Sequence, residues 1–191
     1  MRRLLVICLG VPLLLAATGT ASSAPGTASL TGAALVIQAN NAGVQNLGGF
    51  HPIRNPTVGA AVKAFGRPSS RQPRYGGSGC NLSWRRIGLK INFAYYGIGG
   101  RRAACHRGVA KLALIRGSAA SRWQTSRGIH IGDSLERLES RYPNAVEWEG
   151  DYWLAIGYSP IAEGSSYPVL AAKVSGETVS GFEVSMSPAY D

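Results

Sequence analysis

The spacing of apolar residues predicts two short helices, and the clearer one covers residues 132–143, GDSLERLESRYP. Its apolar positions recur at i, i+3 and i+7 and share one face: Leu135, Leu138 and Tyr142. Asp133 is a favourable N-cap residue, and Glu136 three positions later completes a capping box. Pro143 ends the helix, because it lacks an N–H and disfavours helical geometry in the residue before it.

The other predicted helix lies in residues 55–68, NPTVGAAVKAFGRP. Here Asn55 is expected to cap, and Pro56 to take the first helical position. The apolar face consists of Val58, Ala61 or Val62, and Phe65. Aligning Thr57 with Ser134 superposes the apolar positions of the two segments, which indicates an internal repeat.

Alternating apolar and polar residues predict antiparallel strands after each helix. The predicted strands are 82–86, 91–95 and 109–115 in the first half, and 146–148, 152–158, 169–174 and 178–186 in the second. The last two are joined by Ser175-Gly176-Glu177, which is typical of a hairpin. The predicted fold is therefore α+β, with two tandem repeats of one short helix followed by a small antiparallel sheet. The repeats are residues 50–117 and 118–191, and we expect them to pack together because each is small.

The N-terminus has the pattern of a secretory signal peptide. Arg2 and Arg3 precede an apolar run at 4–17 and a small-residue stretch, with cleavage expected after Ala21 or Ala24. The run is too short for a comfortable membrane span, although an N-terminal anchor is the alternative. We therefore assign 1–24 to the signal and expect a secreted, extracellular protein without a transmembrane segment in its mature form. Residues 25–49 are predicted to be a flexible leader, within which 35–38 could form a short strand.

Two cysteines remain after the signal, Cys80 and Cys105. Two cysteines in an exported chain most simply form a disulfide. No Cys-x-x-Cys spacing exists, so the sequence gives no reason to expect a metal site.

Charge is segregated along the chain. Residues 1–132 contain 17 Lys or Arg and no Asp or Glu, whereas residues 133–191 contain 3 Lys or Arg and all 10 acids. Such segregation can hold two halves together, or it can present a basic face to an anionic partner.

The helix-plus-sheet pattern resembles the SmpA/OmlA lipoprotein module, which the secreted β-lactamase inhibitor proteins carry twice. The matching residues are Thr57, Phe65, Gly66 and Pro68 in the first copy, and Gly132, Ser134, Leu138 and Tyr142 in the second. The chain departs from the motif at Asn55 and Pro143, where the motif has glycine. The resemblance covers most of residues 50–188 and implies a fold and, as one alternative, a proteinaceous inhibitor of a secreted hydrolase.

Sequence motifs for catalysis are incomplete. Residues 132–135 spell the GDSL signature of a serine esterase family, but no histidine follows His130 to activate Ser134. Ser134 and Asp133 are better explained as helix-start residues. Glu147, Glu149 and Asp151 beside tryptophans could hold or cut a sugar, but they also fit a solvated hairpin edge. We therefore predict no catalytic residues, no metal and no cofactor, and a hydrolase is the least favoured function.

The predicted binding residues are arginines of the first half: Arg85, Arg86, Arg101, Arg102 and Arg107. Guanidinium groups bind phosphate or carboxylate through paired hydrogen bonds. The expected function is a secreted, non-enzymatic binding protein whose partner is an anionic envelope component or another protein; nucleic acid is not expected outside the cell. The competing interpretation is that these arginines are solvated, or pair with the acids of the second half.

Overall fold

The computed structural model describes residues 33–97, 103–117, 121–158 and 164–186, and β-structure predominates among them. The strands are β1 (Leu35–Asn40), β2 (Gly43–Leu47), β3 (Ser70–Arg74), β4 (Gly79–Trp84), β5 (Leu89–Ala94), β6 (Val109–Arg116), β7 (Trp123–Thr125), β8 (Val146–Trp148), β9 (Asp151–Tyr158), β10 (Ser166–Ser175) and β11 (Thr178–Ser185). The helices are α1 (Val58–Phe65), α2 (Ala104–Arg107) and α3 (Leu135–Arg141). Two 3₁₀ turns, Tyr75–Gly77 and Arg85–Ile87, follow β3 and β4.

Eight strands form one antiparallel sheet in the order β3-β4-β5-β6-β11-β10-β9-β8. The sheet is continuous because β6 pairs with β11, for example at Ile115 and Phe182. The prediction of an α+β fold in two repeats, each with its own small sheet, is therefore wrong. β6 and β11 are the last strands of the two halves, and the sequence alone predicts each of them as a sheet edge. In the structure their backbone N–H and C=O groups form hydrogen bonds with each other.

A three-stranded sheet in the order β2-β1-β7 accompanies the large one. β1 pairs antiparallel with β2 and parallel with β7, where Leu35 lies opposite Trp123. The described part of the predicted flexible leader is thus ordered, because Leu35, Ile37, Val44 and Leu47 are buried in the core. The short strand predicted at residues 35–38 lies within β1.

The eight-stranded sheet has one buried face. A row of paired residues crosses six strands and is buried throughout: Leu82, Ile91, Ala113, Val184, Leu170 and Ala155. We call this side the covered face. On the opposite side, the open face, residues such as Lys90, Leu112 and Glu183 are only half-buried. The alternation of the strands thus produces one core-facing side and one accessible side.

Both long helices begin at a hydroxyl residue. The Oγ1 of Thr57 accepts a hydrogen bond from the N–H of Ala60 at 3.2 Å, and the Oγ of Ser134 accepts one from the N–H of Arg137 at 3.2 Å. The predicted caps were Asn55 and Asp133, one or two residues too early. Asn55 instead accepts a hydrogen bond from the Thr57 hydroxyl at 2.7 Å and so supports the cap.

An aromatic cluster joins α1 to both sheets. The ring of Phe65 lies 6.1 Å from that of Phe50, 5.4 Å from Trp84 and 6.2 Å from Trp123, centroid to centroid. Edge-on and tilted contacts of this kind are favourable in addition to the apolar area they bury. Because Trp84 belongs to β4 and Trp123 to β7, Phe65 holds the two sheets together.

The predicted disulfide is confirmed. Cys80 in β4 is bonded to Cys105 in α2, with the Cα atoms 5.1 Å apart, and both residues are buried. A disulfide is consistent with an oxidising compartment. Among the described residues, no helix has the length and apolar character needed to cross a bilayer.

Candidate functional site: an arginine pocket

Four arginines surround one open depression of about 360 Å³. They are Arg85, Arg86, Arg116 and Arg122, and we call the depression the arginine pocket. The other described residues that line it are Leu35, Ile87, Gly88, Gly117 and Ser121, so none of the described lining residues is acidic. The four arginines come from three separate segments of the chain.

Two indole groups fix the turn that carries Arg85 and Arg86. The Nε1–H of Trp84 donates to the carbonyl of Gly66 at 2.8 Å, and the Nε1–H of Trp123 donates to the carbonyl of Ile87 at 2.6 Å. The N–H of Arg85 also donates to the hydroxyl of Ser69 at 3.1 Å. The Arg85–Ile87 turn is therefore held on both sides, and the two exposed arginines extend from a rigid backbone.

Arg116 reaches the pocket because β6 ends directly against the turn. Its N–H donates to the carbonyl of Gly88 at 2.9 Å. Gly88 has φ +64°, and a Cβ there would collide with the carbonyl of Arg116. Only glycine allows this approach without strain, since other L-residues are disfavoured at positive φ.

Arg122 belongs to the segment that leads into β7. Its carbonyl accepts a hydrogen bond from the N–H of Leu35 at 2.8 Å, and its Nη1 donates to the carbonyl of Ala33 at 3.3 Å. The side chain is half-buried, unlike those of Arg85 and Arg116. The arginine pocket therefore lies where an end of the eight-stranded sheet meets the three-stranded sheet.

The arginines of the pocket are not neutralised by the acidic half. Every ion pair between described Lys or Arg residues and described acids lies within residues 133–183: Asp133 with Arg137, and Lys173 with Asp151 and Glu183. Burial opposes the charge on Lys173, but its hydrogen bonds to Asp151 and Glu183 outweigh burial and raise the pKa of the ammonium group. These acids are thus engaged with cations of their own half, and no described ion pair reaches the pocket.

The structure brings together two of the five predicted arginines. Arg85 and Arg86 line the pocket, whereas Arg107 ends α2 beside Cys105. Because Cys105 is bonded to Cys80 at the start of β4, Arg107 lies near the opposite end of that strand, about 15 Å away along an extended chain. Arg101 and Arg102 lie outside the described residues.

Sequence reasoning missed Arg116 and Arg122. Both are at strand ends, Arg116 closing β6 and Arg122 preceding β7. Their position at strand ends could have indicated that they belong to the pocket, because side chains at the ends of neighbouring strands lie close together at one edge of a sheet. The parallel pairing of β7 with β1, which places Arg122, has no local sequence signature.

Ser134 is occupied as a helix cap. The Oγ of Ser134 accepts the hydrogen bond from the N–H of Arg137. The neighbouring Asp133 accepts a hydrogen bond from the N–H of His130 at 2.8 Å and pairs with the guanidinium of Arg137 at 3.1 Å. Within the described residues, no histidine is hydrogen-bonded to the Ser134 hydroxyl. The group Asp133-Ser134 therefore stabilises the start of α3, which is the alternative that the sequence favoured.

Replacing Ser134 with alanine is expected to lower the free energy of unfolding by about 1 kcal/mol, because one N–H of the first helical turn loses its acceptor. Urea denaturation followed by tryptophan fluorescence measures this. Ser140→Ala, at an exposed position in the same helix, is the matched control and should be neutral or slightly stabilising. Equal effects of the two substitutions would show that the cap contributes nothing, and ester hydrolysis abolished only by Ser134→Ala would establish a nucleophile.

No group of three or more His, Cys, Asp or Glu residues suited to a metal ion occurs in the part of the chain that the structure describes.

Comparisons with known protein families, with curated proteins and with solved structures found no match to this chain.

Proposed function

We propose that this chain is a secreted, non-enzymatic binding protein that holds an anionic partner in the arginine pocket. The observation that carries the proposal is the convergence of Arg85, Arg86, Arg116 and Arg122 around one depression, with no acid among the described residues that line it. Four like charges repel one another, so an arrangement of this kind is stabilised by an anion between them. Planar guanidinium groups match phosphate and carboxylate oxygens through paired hydrogen bonds.

The partner proposed is a polymer of the cell envelope that carries phosphate or carboxylate groups. A depression of about 360 Å³ accommodates one or two such groups rather than a whole polymer. The rest of the polymer would then cross the surface of the basic half, which holds no acid before residue 133. The signal peptide predicted from the sequence and the disulfide both support a location outside the cytoplasm.

A protein partner is the second candidate, including the hydrolase-inhibitor alternative. The observation that favours it is the exposure of two large apolar side chains on the edge strand β8, with Trp148 56% exposed and Val146 42%. Aromatic residues are enriched at the centres of protein interfaces. In this case Trp148→Ala would reduce capture of the partner, and the variants of the arginine pocket would leave it unchanged.

Changing Arg85 and Arg86 together to glutamine is expected to weaken binding to an anionic polymer at least about tenfold at 0.15 M salt, which corresponds to roughly 1.4 kcal/mol. The reason is the loss of two charge-assisted hydrogen-bonding groups. Retention on immobilised teichoic acid and on heparin measures the effect. The melting temperature should stay the same, because neither side chain has an ion-pair partner among the described residues.

The matched control is Arg74→Gln with Arg107→Gln, which removes the same charge from exposed arginines at the other end of β4. A smaller loss in the control supports a specific pocket, because screening confines the effect of each charge to about 8 Å at this salt concentration. Equal losses in both double variants would mean diffuse attraction to the basic half. A lower melting temperature with unchanged retention would assign Arg85 and Arg86 to the fold.

A further inference from the structure

The eight-stranded sheet carries opposite charges at its two edges. β3 to β6 come from the basic part of the chain, and β8 to β11 come from the acidic part. The edge strands β3 and β8 are separated by the width of the sheet, roughly 34 Å for seven strand spacings. Each of the two edges is hydrogen-bonded to one strand only, and no ion pair between described residues joins them.

The edge at β3 is basic and solvent-exposed. Its sequence is SRQPR, and every residue from Arg71 to Arg74 is exposed. The Nη1 of Arg71 donates to the carbonyl of Cys105 at 3.0 Å, which holds this guanidinium beside α2. Pro73 has no backbone N–H, so this edge has one hydrogen-bond donor fewer along its backbone. A partner would therefore contact mainly the side chains of β3.

The edge at β8 is acidic and aromatic. All three of its residues, Val146, Glu147 and Trp148, are exposed. The ring of Trp148 lies 5.8 Å from that of Trp153 in β9 at an angle of 37°, so the two form one platform. Burial raises the pKa of the neighbouring Tyr152, and the negative charges of Glu147 and Glu139 raise it further. An aromatic platform among carboxylates is suited to a cation.

The direction of the strands makes the two edges complementary. Neighbouring strands are antiparallel throughout the sheet, and their number is even, so β3 and β8 run in opposite directions. A second molecule moved along the sheet, without being turned over, would therefore bring its β3 antiparallel to β8 of the first. The antiparallel alternation would continue across the junction.

The faces of the two edges also agree. Trp148 lies on the open face, as does its partner Asp151. Arg74 also lies on the open face, because it is on the same side of β3 as Gln72, whose partner is Asn81. Glu147 pairs with Tyr152, and Arg71 pairs with the buried Leu82; these belong to the covered face. In the translated copy, the register that places Gln72 opposite Trp148 makes Arg74 a diagonal neighbour of Trp148 on the open face and Arg71 a diagonal neighbour of Glu147 on the covered face. Long side chains reach such diagonal neighbours, two positions along the facing strand.

We propose that β3 of one molecule docks on β8 of a second copy of the same chain, head to tail. The contact combines a cation–π interaction of Arg74 with Trp148 and an ion pair of Arg71 with Glu147. The second copy is the occupant because the chain itself carries the edge of opposite charge, with matching direction and matching faces. Such a contact is heterologous and does not close on itself, so it produces short linear chains. It uses none of the residues of the arginine pocket and stands independently of that proposal.

Sedimentation velocity of the chain without its signal peptide tests this at low salt over a range of concentrations. We expect the mean sedimentation coefficient to rise with concentration, and the rise to vanish at 1 M salt, where screening acts within about 3 Å. A single monomeric species at every concentration would overturn the proposal. Arg85→Gln with Arg86→Gln is the control that should associate like the unmodified chain, and loss of association in it would place the contact at the arginine pocket instead.

Two complementary variants sharpen the test. The basic-edge variant combines Arg71→Gln with Arg74→Gln, and the acidic-edge variant combines Glu147→Gln with Trp148→Ala. Each alone should be monomeric, whereas an equal mixture should form one-to-one dimers and nothing larger, because it contains one intact edge of each kind. A mixture that stays monomeric would contradict head-to-tail docking. Arg74→Gln alone, which spares the bond from Arg71 to Cys105, should also weaken association and shows that the effect does not depend on local unfolding of α2.

Discussion

Replacing Phe65 with alanine is expected to lower the free energy of unfolding by about 3–5 kcal/mol, which is typical of a buried phenylalanine. Phe65 is 5% exposed and contacts the rings of Phe50, Trp84 and Trp123. The alanine would leave a cavity that rings anchored in two different sheets cannot collapse to fill. Denaturant titration followed by tryptophan fluorescence measures the loss.

The same substitution should also weaken anion binding. Trp84 and Trp123 hold the Arg85–Ile87 turn through their indole N–H groups, and both rings rest on Phe65. Phe65→Leu is the matched control, because it retains most of the volume and should cost less than about 1.5 kcal/mol. If alanine and leucine were equally destabilising, the aromatic contacts and not the filled volume would determine the stability of this cluster.

Removing the disulfide by changing Cys80 and Cys105 to alanine is expected to lower the free energy of unfolding by roughly 3–4 kcal/mol. The two cysteines are 25 positions apart, and the bond restricts the unfolded chain between them. Chemical denaturation of the double variant measures the loss, and mass spectrometry of the unmodified protein under non-reducing conditions should show two hydrogens fewer than the reduced chain. Reduction of the unmodified protein is the control and should give a similar loss, since it breaks the same bond. Unchanged stability in both cases would show that the bond does not restrict the unfolded chain.

The local elements of the fold were predictable because they depend on neighbouring residues. The spacing of Leu135, Leu138 and Tyr142 predicted α3, and the alternation around Ile91 and Phe93 predicted β5. Boundaries were less accurate: the predicted strand through Arg86 ends at Trp84, because Gly88 in the left-handed region turns the chain. The pairing of β6 with β11 and of β1 with β7 was missed, since nothing local distinguishes an edge strand from one that finds a distant partner.

The arginine pocket illustrates the same limit. Arg85 and Arg86 are adjacent in sequence and were predicted as binding residues, while Arg116 and Arg122 join them only through the tertiary structure. Arg107 was included on the basis of sequence proximity to the same hairpin, but the length of β4 separates it from the turn. Charge composition pointed to the half of the chain that contains the pocket, and only strand pairing identified which arginines line it.

The junction of β6 and β11 has a consequence for how the chain reaches its native state. The strands β3 to β6 are neighbours in sequence and can assemble early, with the Cys80–Cys105 bond forming inside them. Their partner β11 is the last of the described strands, and closing the long loop between β6 and β11 costs chain entropy, which slows their pairing. A chain that is still folding would therefore expose β6 as an unpaired edge until the β10–β11 hairpin has formed and paired with it. During that interval the protein is most vulnerable to aggregation, and a chaperone that covers this edge would protect it.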